Sequence, residues 1–195
     1  MIGNDIVDLQ EARLKSNWER PGFLEKVFSS TEQNLIHQSE HPSQIVWRLW
    51  TMKESAYKFY LQKKPSAIRG FYPAKIETQL HSSSMGLVSI KGIVLSTTSI
   101  IHPDYIFSTA FSKKNISTET VIFSIAEGHH QFQSTFTRQK LLDSLAQKKR
   151  LNRVDLAIKK DINNIPKIFY QKKLLPFNCS LTHHGNYGGY SISSI

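Results

Sequence analysis

Glu54 and Lys58 stand one helical turn apart in WRLWTMKESAYKFY, residues 47 to 60, with Lys53 just before them. A carboxylate flanked by two ammonium groups beside Trp50 suits a phosphate ester gathered around a divalent cation. The glutamate would hold the cation and the lysines the oxygens. The plainer alternative is an exposed i,i+4 ion pair worth roughly 0.3–0.5 kcal/mol, with Lys53 reaching water along its aliphatic stem. Near the start, GNDIVDL places Asp5 and Asp8 after Gly3. They would face opposite ways on an isolated strand, and a bend after Ile6 would bring them together. Mg²⁺ needs only one or two carboxylates, because phosphate oxygens and water complete its octahedron. A turn or helix cap is the plain alternative. In SLTHHGNYGG, Thr182, His183 and His184 precede a glycine-rich turn. Cys179 and His183 are four apart, but no other histidines complete a zinc spacing. A phosphate contact from His183 or a structural turn histidine are the readings left. Walker A, GxGxxG and nucleophile-elbow patterns are absent.

These residues need elements to carry them. MIGNDIVDLQEA predicts a first strand running into a loop or helix. Ser29, Ser30 or Thr31 would cap a helix with Glu32 in its first turn. The strongest periodicity runs from Pro42 to Pro65, with Ser43 as the expected N-cap. On its wheel Ile45, Leu49, Met52, Ala56 and Tyr60 form an apolar stripe, with Val46 and Tyr57 at its edge. Lys53 falls inside that stripe, while Glu54 and Lys58 lie on the wetter side. Residues 70 to 125 hold short β-rich runs broken by Gly, Ser, Pro and Asn, a pattern of antiparallel sheet. STFTRQKLLDSLAQKKRL then predicts an amphipathic helix with Leu141, Leu142 and Leu145 inward. A strand is expected at 167–171, and two more around a His-His-Gly turn close the chain. Helices and strands mix without a βαβ rhythm, so the class is α+β. A faint echo joins IIHPDYIFSTAFS (100–112) to LTHHGNYGGYSIS (181–193); a true repeat would mean two related lobes, and chance is the other reading.

Composition bounds the partners. The 195 residues carry a formal net charge of +10, thickening between Arg138 and Lys173. Such a field attracts polyanions: nucleic acid, anionic membrane, phosphorylated cofactors or acidic proteins. No apolar run approaches the roughly 20 residues of a membrane span, and the opening residues carry no signal-peptide pattern. A single cysteine, Cys179, rules out an intrachain disulfide and points to the reducing cytoplasm.

Together these stretches resemble the 4′-phosphopantetheinyl transferase superfamily. IGNDIVDL is similar to its first motif, WRLWTMKESAYK to its Trp–Lys-Glu–Lys motif, and NCSLTHHGNYGG to its Ser/Thr-His strand. The order of motifs resembles the small acyl-carrier-protein synthase type, in which the site forms between subunits. The length resembles the larger surfactin-synthetase-activating type, in which the His strand comes first. The resemblance therefore implies a circular rearrangement of two pseudo-symmetric lobes, each an antiparallel sheet packed with a long helix. One lobe would span 1–114, a connecting segment 115–133 and the second lobe 134–195. The expected state is a monomer with one site between the lobes.

The resemblance implies transfer of 4′-phosphopantetheine from coenzyme A to a serine of an acidic apo carrier protein, releasing 3′,5′-ADP. The cofactor would be Mg²⁺, with Mn²⁺ the alternative. It makes Asp5, Glu54 and Lys58 catalytic, with Asp5 and Glu54 on the metal. Asp8 would join the metal, support it from behind or pair with Lys53. His183, Thr182, Lys167, Arg138 and Lys53 would contact the coenzyme. The larger type has an acid where this chain has Val7, so Asp8 follows the small type. Neither nucleic acid nor membrane is an expected partner. A catalytically degenerate carrier-binding relative and a basic nucleic-acid-binding protein are the rival readings.

Overall fold

Six consecutive buried residues, Gly3–Asp8, form the first strand, β1. They begin a computed structural model that describes residues 1–66, 70–112, 118–126 and 129–194. Three short helices follow, α1 (Leu9–Lys15), α2 (Phe23–Val27) and α3 (Ser30–Gln38). Ser29 and Glu32 form the expected capping box at α3. The long helix α4 spans Pro42–Lys63. Ser43 is not its cap. Pro42 occupies the first helical turn, where a missing N–H costs nothing, so the boundary falls on His41.

Four more strands, β2 (Glu77–Leu80), β3 (Met85–Ile90), β4 (Ile93–Ile101) and β5 (Tyr105–Phe111), complete an antiparallel sheet in the order β1-β5-β4-β3-β2. The stripe read from the sequence packs onto one face of this sheet. Val46, Leu49, Met52 and Ala56 meet Val7, Val88, Leu95 and Ile106 in one core. The contact between β1 and α4 is close. A β-carbon on Gly3 would stand 1.9 Å from the Ser55 carbonyl oxygen, so this position must be glycine.

The second half supplies β6 (Thr118–Ser124), α5 (His130–Lys149), β7 (Leu156–Lys160), β8 (Pro166–Tyr170), β9 (Lys173–Leu174), β10 (Phe177–His184) and β11 (Tyr187–Ser194). Two three-stranded sheets result, β10-β11-β6 and β7-β8-β9. Leu141, Leu142 and Leu145 of α5 face Leu156, Ile168, Cys179 and Tyr190. The class is α+β. The expected boundary at 114/115 lies outside the described residues. The segment 115–133 is more than a connector, because it contributes β6 to the second half's sheet and the first turn of α5. The two histidines end β10, and the turn itself is Gly185–Asn186.

The halves meet where β1, an edge strand, faces β10. Side chains stand in for a partner backbone there. The N–H groups of Asn4, Ile6 and Asp8 donate to Ser180 Oγ, Thr182 Oγ1 and His184 Nδ1. Gln62 of α4 accepts from the Ile2 N–H and donates to the carbonyls of Ile2 and Cys179. Buried backbone polar groups are thereby satisfied without a ladder. The β4–β5 and β10–β11 hairpins also touch at their tips, with the Tyr105 and Tyr187 rings 4.8 Å apart.

Candidate active site

The face of α4 opposite the apolar stripe is turned toward the seam between β1 and β10, not toward open water. Lys58 Nζ lies 2.8 Å from Asp5 Oδ1 and 2.9 Å from the Asn4 carbonyl. Asp5, 8% exposed, also accepts the Thr182 hydroxyl at 3.0 Å. Glu54 shares a cavity of about 480 Å³ with Asp5, His183, His184, Trp50 and Arg20. Burial and then the Asp5 charge push the Glu54 acid up to about 7, while Lys58 pulls the other way. A carboxyl group only about half ionised at neutral pH, beside a second carboxylate, sits in excess negative potential. Oxygen donors in that potential fit a hard divalent cation, and Asp5 and Glu54 could hold it.

His183 borders this cavity and a second one of about 290 Å³ between the halves. Its Nδ1 is 2.9 Å from Gln133 Oε1, and Gln133 donates its amide to the Gly185 carbonyl at 2.7 Å. That pattern assigns the proton to Nδ1 and leaves Nε2 as an acceptor. Burial holds His183 down to about 4, helped by the positive potential of His130, Lys58, Arg138 and His184. The second cavity is lined by Lys58, Arg138 and Lys160, with Leu61, Ile165 and Leu181 among its apolar walls. Three cations above an apolar floor suit a phosphorylated, partly apolar ligand.

Not every expected residue joins them. Lys53 is fully buried in the first half's core. Its ammonium donates to Glu32 Oε2 at 2.6 Å, to the Val27 carbonyl at 3.0 Å and to the Pro73 carbonyl at 2.8 Å. With all three protons used and no exposure, it has none left for a coenzyme or for Asp8, which corrects that expectation. Asp8 is 1% exposed and caps α1 through Oδ1, which accepts the N–H groups of Gln10 and Glu11. Its Oδ2 accepts the Asn186 N–H. With both oxygens engaged by backbone N–H groups and no share in the lining of the Asp5–Glu54 cavity, Asp8 is placed as a brace and not beside those two carboxylates as expected. Thr182 lines neither cavity, and Lys167 lies on β8 opposite Lys159, outside the lining of both. Lys160, His130 and Gln133 were missed. Lys160 pairs with Pro166 across the β7–β8 hairpin, one register step from Lys167, so hairpin pairing was the available signal. No sequence pattern marks Gln133 or His130.

Residues 1–110 match the family model of the 4′-phosphopantetheinyl transferase superfamily. No curated protein matches the sequence significantly. Among solved structures, the Thermotoga maritima holo-[acyl-carrier-protein] synthase superposes with a TM-score of 0.43 at 9% identity. The match covers 89% of this chain and 83% of that one, a likeness too low to build on. The family match spans more than half of the residues, and the chain belongs to the 4′-phosphopantetheinyl transferase superfamily.

Proposed function

We propose that this member of the superfamily transfers 4′-phosphopantetheine from coenzyme A to a serine of an apo acyl or peptidyl carrier protein, releasing 3′,5′-ADP. The observation that carries the reading is the junction of Asp5 and Lys58 with Thr182 from the other half, beside Glu54 and His183. Asp5 and Glu54 would hold Mg²⁺ or Mn²⁺, which when bound supplies positive charge to the diphosphate. Lys58, anchored by Asp5 and the Asn4 carbonyl, keeps one N–H to steady a phosphate oxygen. The cations of the second cavity bind the coenzyme's remaining phosphates. The serine oxygen bonds to the phosphorus as the bond to 3′,5′-ADP breaks. Its proton passes to a basic group, for which ionised Glu54 and neutral His183 are the candidates at this cavity.

The same reading takes the chain as two pseudo-symmetric lobes in circularly rearranged order, acting as a cytoplasmic monomer with one site. The paired hairpins, with His102 and Tyr105 matching His184 and Tyr187, support it, as does one long helix against each half's sheet. The net charge of +10 suits an acidic carrier and a coenzyme rich in phosphate. The test is to mix the protein with coenzyme A, Mg²⁺ and a panel of apo carriers and to read each carrier's mass. Wild type should add the phosphopantetheine mass to at least one carrier. Glu54→Gln should stay folded and add it at least about 100-fold more slowly. No mass gain on any carrier refutes the reading, and carrier binding without modification would mark a degenerate relative.

A further inference from the structure

Resting on that reading of Asp5 and Glu54, we infer that Thr182 is a positioning residue that fixes Asp5 as a one-oxygen ligand, instead of a coenzyme contact. The donor directions are forced. The Ile6 N–H can only donate, so Thr182 Oγ1 accepts it at 3.2 Å. The threonine's own proton then goes to Asp5 Oδ1 at 3.0 Å, because a carboxylate oxygen only accepts. Lys58 donates to the same Oδ1 at 2.8 Å. Both lone pairs of Oδ1 are thereby used, and Oδ2 has no hydrogen-bond partner among the described residues. Oδ2 is left for the cation. Thr182 itself is 5% exposed and lines neither cavity, while its neighbours Leu181 and His183 do.

The arrangement ties the metal site to the seam between halves. Backbone of β1 orients a hydroxyl on β10, and that hydroxyl turns a carboxylate on β1. The rotation of Asp5 therefore depends on the second half being docked. Ser180 makes the same kind of seam bond, to the Asn4 N–H, yet touches no carboxylate. It is the natural comparison.

The test measures Mn²⁺ binding without coenzyme, by loss of the free-ion electron paramagnetic resonance signal, in wild type and in Thr182→Val, Thr182→Ala, Thr182→Ser and Ser180→Ala. Valine and alanine should each weaken Mn²⁺ by about 10- to 100-fold, and serine should restore it to within about threefold. Ser180→Ala should also stay within about threefold. At saturating metal the KM for coenzyme A should change less than about twofold in Thr182→Ala. Having two variants covers the case in which valine fails to fold. The inference is overturned if folded Thr182→Ala binds Mn²⁺ like wild type, if its KM for coenzyme A rises instead, or if Ser180→Ala loses as much metal. Wild type that binds no Mn²⁺ would overturn the cation site itself, a separate and visible result.

Discussion

Removing the Lys53 ammonium tests whether this lysine serves the fold or the coenzyme. In Lys53→Met, Glu32 keeps the Ser29 N–H at Oε2 and the Thr78 N–H and hydroxyl at Oε1, but loses its counter-charge in the core. In Glu32→Gln, the ammonium keeps two carbonyls and the face of Phe28, 5.2 Å away. Burial already pulls the Lys53 pKa below its ordinary value, offset by the charge and hydrogen bond of Glu32 and the charge of Glu77. Breaking a buried pair from one side costs about 3–5 kcal/mol, because the remaining charge is uncompensated. For a chain of this size each kcal/mol lowers Tm by roughly 2–4 °C, so either single variant should lose about 6–20 °C. Lys53→Met/Glu32→Gln leaves no buried charge at this pair and should recover most of that loss. Urea titration followed by circular dichroism gives the four corners of the cycle. Below the transition, the KM for coenzyme A of Lys53→Met should stay within about twofold of wild type. A Lys53→Met variant as stable as wild type with a KM raised tenfold would refute the structural role, and an additive double variant would refute the pairing.

Asp8→Ala should cost about 1–3 kcal/mol in urea, from the lost cap and the unpaired Asn186 N–H, while the Mg²⁺ dependence of transfer stays unchanged. Lys160→Ala should raise the KM for coenzyme A by about tenfold or more, and Lys167→Ala by less, as measured at fixed carrier concentration. His183 is held down to about 4 from 6.5, so the unfolded chain takes up a proton across that window and the folded chain does not. Stability should therefore fall as pH drops from 6.5 toward 4. Paired denaturation curves at pH 7 and pH 5 should show a smaller loss in His183→Gln.

The sequence made α4 legible because prolines bracket it and its apolar residues recur at helical spacing. The same wheel exposed Lys53 as an anomaly. Its partner stayed hidden, because Glu32 lies 21 residues away and reads as an ordinary capping-box acid. Asp5, Glu54, Lys58 and His183 were legible as a set through their motif context, and the folded chain places Asp5, Glu54 and His183 around one cavity, with Lys58 on Asp5 and lining the other. The seam was not legible. Ser180, Thr182 and His184 alternate along a strand, and small polar residues at period two normally signify a solvent face. Here that face meets another strand's edge. β6 falls in a run that reads as strand, but its place in the second half's sheet was not legible, because its partner, β11, lies more than sixty residues later.

A sheet normally ends in a ragged border that other chains can join, and β1 would be such a border if it stood alone. Three side chains from β10 and, at Ile2, one glutamine of α4 plug it like pegs in a row of holes. A truncated chain stopping near residue 112 would keep Gln62 but uncover the three holes that β10 fills, leaving a sticky strip of unpaired amides. Splitting this protein should therefore yield clumping pieces, not two tame modules, unless the missing half is supplied in trans while the first is being made.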